Sequence, residues 1–129
     1  TVVARATPLL VPLAEEGYTE GAVVSAVLDD HLAPMLDHEI DTLVLGCTHY
    51  PVLQAAIEGW FAAHGRPVAI VDSASAVARE VASELGPGAA GSGGSLEVQV
   101  ADDAERFVEV ATRFLEEPIS LELVDLGQV

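Results

Sequence analysis

Cys47, Thr48 and His49 stand in a row, and Cys47 is the single cysteine of the chain. A thiolate is both a base and a nucleophile, and an imidazole gains and loses a proton near neutral pH. Two residues of separation are short enough for the two groups to exchange that proton with each other or with a leaving group. Spacing alone leaves a second reading open, in which Cys47 is a small buried hydrophobe and His49 caps the next helix. One cysteine excludes an intramolecular disulfide framework and a cysteine-based zinc cluster.

The elements on either side place these residues. Thr42-Leu43-Val44-Leu45, bounded by Asp41 and Gly46, is a short apolar run with the pattern of a strand buried on both faces of a parallel sheet. Pro51 suits the first turn of a helix, which Val52, Leu53, Ala56, Ile57, Trp60 and Phe61 continue until Gly65 stops it. Cys47 is therefore expected just beyond the carboxyl end of a strand, where open α/β sheets bind ligands. The N–H groups and dipole of the following helix would favour negative charge there, whether a thiolate or the carboxylate of a substrate.

Around this unit β and α signals alternate. Apolar spacing predicts a helix over Gly21–Leu36, flawed by Pro34, and strands at Val68–Val71, Leu96–Val100 and Ile119–Val124. Helices are expected over Ala74–Leu85, capped by Asp72 or Ser73, and from a cap at Asp102 or Asp103 through Leu115. Residues Gly86–Ser95 read as a flexible Gly-rich connection. The fold class is α/β, with parallel strands in βαβ units.

At 129 residues, half of them hydrophobic, the chain has the size of one domain. Its 21 acidic residues face five basic ones, all arginine, so its field repels phosphate backbones and anionic membranes; neither nucleic acid nor a membrane is expected as a partner. No apolar run approaches the roughly 20 residues needed to span a bilayer, and the start carries no secretory signature, so a cytoplasmic location is expected. The start also lacks Met and reads as the tail of a strand, which predicts that residues upstream are missing.

The full run Leu45-Gly46-Cys47-Thr48-His49-Tyr50-Pro51-Val52-Leu53 resembles the Gly-Cys-Thr-His-Tyr-Pro-Leu-Leu signature around the second catalytic cysteine of glutamate racemases, in the aspartate/glutamate racemase superfamily. Two flanking segments are similar to the same family in the same order, Ala6 to Gly17 upstream and Val71-Asp72-Ser73-Ala74 downstream. More loosely, so is the end, with Asp102-Asp103 before Phe107 and Phe114-Leu115 before Glu122-Leu123-Val124.

The resemblance implies a racemase that needs neither pyridoxal phosphate nor a metal and inverts the α-carbon of glutamate with two cysteines on opposite faces, supplying D-glutamate for cell-wall peptidoglycan. Cys47 would be the second of these, His49 would tune its protonation, and Thr48 would hold polar groups of the substrate. Glu15, which follows Pro12-Leu13-Ala14, would be the acid joining the network, in preference to Glu16. The family has two similar α/β domains. Residues 1–73 would belong to the domain bearing Cys47, and 74–129, with the loop 86–95, would complete the other, leaving the two-domain architecture incomplete. The Asp-Ser and Cys-Asn-Thr segments of the family are absent, so the expected partner is the missing N-terminal half, without which the chain is expected to be inactive. Other readings are an aspartate- or hydantoin-racemase-like enzyme, a non-catalytic binding module, and a homodimer that brings two copies of Cys47 face to face.

Overall fold

The structure, a computed structural model, describes residues 1–86, 95–115, 118–125 and 127 of a mixed α/β chain that divides into two compact units, Thr1–Pro87 and Gly88–Val129. In the first unit the chain runs through α1 (Leu10–Glu15) and α2 (Ala22–Leu32) to a strand, β1 (Thr42–Leu45), then α3 (Gln54–Ala63), β2 (Ala69–Asp72) and α4 (Ser73–Leu85). β1 and β2 pair in parallel, with Thr42 opposite Ala69 and Leu45 opposite Asp72. The helix α3 makes the crossover that a parallel pair requires.

Prolines shape both helical connections. Pro34 has no N–H to give to a helix interior and its ring crowds the preceding turn. Accordingly α2 ends at Leu32 and the chain tightens into a 3-10 segment, Ala33–Asp37, at the place where Pro34 flawed the helix expected over Gly21–Leu36. Likewise Pro51 lies in a 3-10 turn, Tyr50–Leu53, and the α-helix begins only at Gln54. Gly21, at φ 94°, turns the chain into α2 with a backbone that side-chain-bearing residues rarely adopt. Asp72 caps α4 as its position suggests, accepting a hydrogen bond from the Ser75 backbone N–H at 2.8 Å.

The core of this unit gathers Leu10 and Ala14 of α1, Val24, Leu28 and Leu32 of α2, Met35, Leu45, Leu53, and Ile57, Trp60 and Phe61 of α3. Trp60 also donates its indole N–H to Asp29 Oδ1 at 2.6 Å, tying α3 to α2. Burial on both faces of the sheet is not observed. Leu45 is 4% exposed, but Val44, on the opposite face, is 68% exposed, and Val71 is 43% exposed. Along α4 the same holds, with Val77, Val81 and Leu85 exposed.

The second unit is a smaller βαβ arrangement of β3 (Val98–Val100), α5 (Ala104–Leu115) and β4 (Leu121–Leu123), the strands again parallel, with Val98 opposite Leu121. Both strands are shorter than the alternation suggested. Asp103 supplies the cap, accepting from the Arg106 N–H at 3.2 Å. Of the Gly-rich connection expected at 86–95, residues 87–94 lie outside the described residues. Among the described residues no helix is long and apolar enough to cross a membrane.

Candidate active site

Cys47 sits in the loop leaving the carboxyl end of β1, as expected, and is half-buried, outside the hydrophobic core. The loop then closes on itself: Tyr50 N–H donates to the Cys47 carbonyl at 3.2 Å and Val52 N–H to that of His49 at 3.3 Å. These bonds open the 3-10 turn. The α-helix expected to have Pro51 in its first turn begins only at Gln54, and its dipole with it.

Glu15 reaches the site from the last residue of α1. Six residues are too few for a helix stable by itself, so its position depends on tertiary contacts. Leu10 and Ala14 are 1% and 0% exposed and fix one face of α1 in the core. At its start, buried Thr7 donates its hydroxyl to the Tyr50 oxygen at 2.7 Å, and the Tyr50 hydroxyl donates to the Thr7 carbonyl at 3.2 Å. The Tyr50 side chain thus ties the segment before α1 to the turn that follows Cys47. Thr7 and Tyr50 are 43 positions apart, and sequence reasoning assigned them no role.

Held in this way, Glu15 Oε1 lies 3.1 Å from His49 Nε2, while His49 Nδ1 lies 3.8 Å from Cys47 Sγ. A carboxylate only accepts, so Nε2 is the nitrogen that carries hydrogen. In the neutral ring Nδ1 then presents a lone pair, and the donor is the thiol. The line can pass a proton from sulfur to imidazole, leaving a thiolate beside an imidazolium that the carboxylate stabilises. The side chains of His49 and Glu15 are 27% and 39% exposed, so the line opens on solvent and on any ligand approaching the loop.

Of the four residues singled out in the sequence, the fold brings three into one hydrogen-bonded line. Thr48 is exposed between Cys47 and His49, with no hydrogen-bond partner for its hydroxyl among the described residues. No group of three or more His, Cys, Asp and Glu among the described residues has the arrangement of a metal site.

Comparison with known proteins points one way. No family model matches the chain. It is 54% identical over 77 residues to the glutamate racemase of Chlorobium phaeobacteroides, covering 60% of this chain and 27% of that one. With the glutamate racemase of Neisseria gonorrhoeae it shares 39% identity over 128 residues, 95% of this chain and 46% of the relative. Among solved structures, it is similar to the glutamate racemase of Francisella tularensis in complex with D-glutamate, at a TM-score of 0.78 and 27% identity, over 95% of this chain and 46% of that one. A glutamate racemase isoform from Bacillus anthracis gives a TM-score of 0.75 at 30% identity over the same shares. The chain therefore spans less than half the length of these relatives.

Proposed function

We infer that this chain, a member of the glutamate racemase family matching less than half of its relatives' length, carries one of the two acid–base groups of a cofactor-independent enzyme that interconverts L- and D-glutamate. The observation that carries the reading is the line from Glu15 through His49 to Cys47 at the mouth of β1.

In this reading the Cys47 thiolate removes the α-proton. The C–H bond breaks, its electrons pass into the substrate carboxylate, and the proton stays on sulfur. A second acid then protonates the opposite face of the α-carbon and is left as the base for the reverse reaction. His49 takes up and returns the Cys47 proton, Glu15 holds the imidazole in its working tautomer, and Thr48 with the loop N–H groups receives the substrate carboxylate. Inversion needs a group on each face, because a base that returns a proton to the face it came from regenerates the same enantiomer. With one cysteine, the chain supplies one face. The other comes from a complementing portion, equivalent to what the matches leave uncovered.

We assign residues 1–73 to the domain bearing Cys47 and residues 74–129 to completion of a second. D-glutamate is a component of peptidoglycan, so the reaction belongs in the cytoplasm, where such precursors are made. The test is to mix this chain with the uncovered portion of the Neisseria gonorrhoeae relative and follow L-glutamate by optical rotation. The mixture is expected to racemise it while each piece alone does not. A mixture in which the two pieces associate but leave optical rotation constant would overturn the reading.

A further inference from the structure

α1 carries Glu15 to His49, and its two ends are held in different ways. The far end closes locally. Tyr18 N–H donates to the Leu13 carbonyl at 2.9 Å and Gly17 N–H to the Ala14 carbonyl at 3.1 Å, with Gly17 at φ 76°, the pair of bonds that ends a helix on a left-handed glycine. Glu15 is thus fixed within its helix, and its carboxylate stands where the helix as a whole stands.

The near end has no cap of its own, since Leu9 offers no side-chain hydrogen bond and the first turn holds no acidic residue. Thr7 anchors it instead. The Thr7 carbonyl accepts from the Leu10 N–H at 3.1 Å, at the opening of the helix, and from the Tyr50 hydroxyl at 3.2 Å. The Thr7 hydroxyl donates to the same Tyr50 oxygen at 2.7 Å, so two bonds close a ring between one residue and one phenol.

From its other side Tyr50 belongs to the cysteine loop. It follows His49 directly, and its backbone N–H donates to the Cys47 carbonyl at 3.2 Å. One residue therefore holds the Cys47 loop by its main chain and the start of α1 by its side chain. The contact between Glu15 Oε1 and His49 Nε2, at 3.1 Å, joins those two pieces. That length is already near the upper end of the range for N–H···O bonds, and a displacement of α1 by about 0.5 Å away from the loop breaks it.

We propose that Tyr50 is a positioning residue for the acid–base line: its hydroxyl, acting through Thr7 and α1, holds Glu15 within reach of His49 and thereby selects the tautomer that turns the Nδ1 lone pair to the Cys47 thiol. The inference rests on the reading under Proposed function and adds a residue that acts on the line at one remove. Removing the hydroxyl loosens the carboxylate from the imidazole while leaving Cys47, His49 and Glu15 in the chain.

Three variants and two readouts test it. Tyr50→Phe keeps the ring and the backbone bond to Cys47 and removes both hydroxyl bonds; Thr7→Val, nearly the same shape, removes one of them; Thr7→Ser restores the Thr7 hydroxyl. Nitrogen-15 spectra of His49 in the whole unbound chain read the tautomer. Tyr50→Phe is expected to raise the ratio of Nδ1–H to Nε2–H by about tenfold, the weight of one hydrogen bond to a charged group, Thr7→Val to raise it less, and Thr7→Ser to leave it at the parent value. In the complemented enzyme, kcat of Tyr50→Phe should fall by about 10- to 100-fold while KM changes by less than about twofold, the pattern of a misplaced catalytic group. A tyrosine with a structural role alone would lower stability and move neither the tautomer nor kcat. An unmoved tautomer in folded Tyr50→Phe overturns the proposal, and so does a shift in Thr7→Ser as large as that in Thr7→Val. Should Tyr50→Phe not fold, Thr7→Val decides by the same readout. Proton exchange at the glutamate α-carbon, followed with the parent chain in the complemented mixture, separates the two readings: a moved tautomer without exchange in the parent refutes the racemase assignment and leaves the positioning role, and exchange with an unmoved tautomer does the reverse.

Discussion

His49 and Glu15, 34 positions apart, meet at 3.1 Å through Nε2 and Oε1, and this contact decides which face of the imidazole is offered to Cys47. With the hydrogen fixed on Nε2, the lone pair of Nδ1 faces the sulfur at 3.8 Å. The carboxylate thus acts on the thiol only through the ring. Nitrogen-15 spectra of His49 in the unbound chain should show the Nε2–H tautomer for the neutral ring. Glu15→Ala should let the Nδ1–H form mix in. A parent protein already dominated by Nδ1–H would contradict the arrangement.

In the complemented enzyme, replacing His49 by Asn should slow turnover by a factor within or below the roughly 10²–10⁴-fold range of a general acid or base. In the proposed reading His49 serves only the face that Cys47 serves, so one direction of racemisation should suffer more than the other. Initial rates from L- and from D-glutamate make the comparison. Equal and negligible losses would reduce His49 to a loop-positioning residue.

Tyr50→Phe removes the hydroxyl that both accepts from and donates to Thr7. Thr7 is 7% exposed, so its polar groups lose partners without gaining full hydration. A cost of about 1–3 kcal/mol is expected, read as a lower urea midpoint with an unchanged slope. If stability is unaltered, the clamp does not hold α1.

Acid should act on the junction of β2 and α4 through Asp72. The Ser75 backbone N–H, and after it the Ser75 hydroxyl, hold this carboxyl below its ordinary value of 3.8. A carboxyl so lowered contributes stability that is fully present above the ordinary value and is lost as pH falls through the folded one. Asp72→Ala should therefore lower the unfolding midpoint at neutral pH, and its gap to the parent should close under acid, below about pH 4. A gap that stays constant under acid would show that the charge of Asp72 adds nothing to its cap.

Local signals in the sequence carried the elements that local physics decides. Thr42–Leu45 forms a strand with the bounds its apolar run suggested, and Asp72 caps the helix it precedes. Pro34 and Pro51 marked the places where helices falter, but apolar spacing does not separate a 3-10 turn from an α-helix, so the switch at Ala33 and the delay to Gln54 escaped. The expectation of two-sided burial misread Val44, because an apolar run does not show whether both faces of its strand are covered, and this face has no cover within the described residues. Cys47 and His49 were legible as a pair by adjacency. Glu15 entered only through the family motif, since no periodicity couples it to His49, and nothing coupled Thr7 to Tyr50.

The most direct test of the role given to Cys47 is deuterium wash-in at the glutamate α-carbon, followed by proton NMR in D₂O with the complemented enzyme. The parent chain is expected to replace the α-hydrogen from solvent as it racemises. Cys47→Ser, whose hydroxyl is a far weaker acid than a thiol, should abolish racemisation. Racemisation with undiminished wash-in in Cys47→Ser would contradict the account.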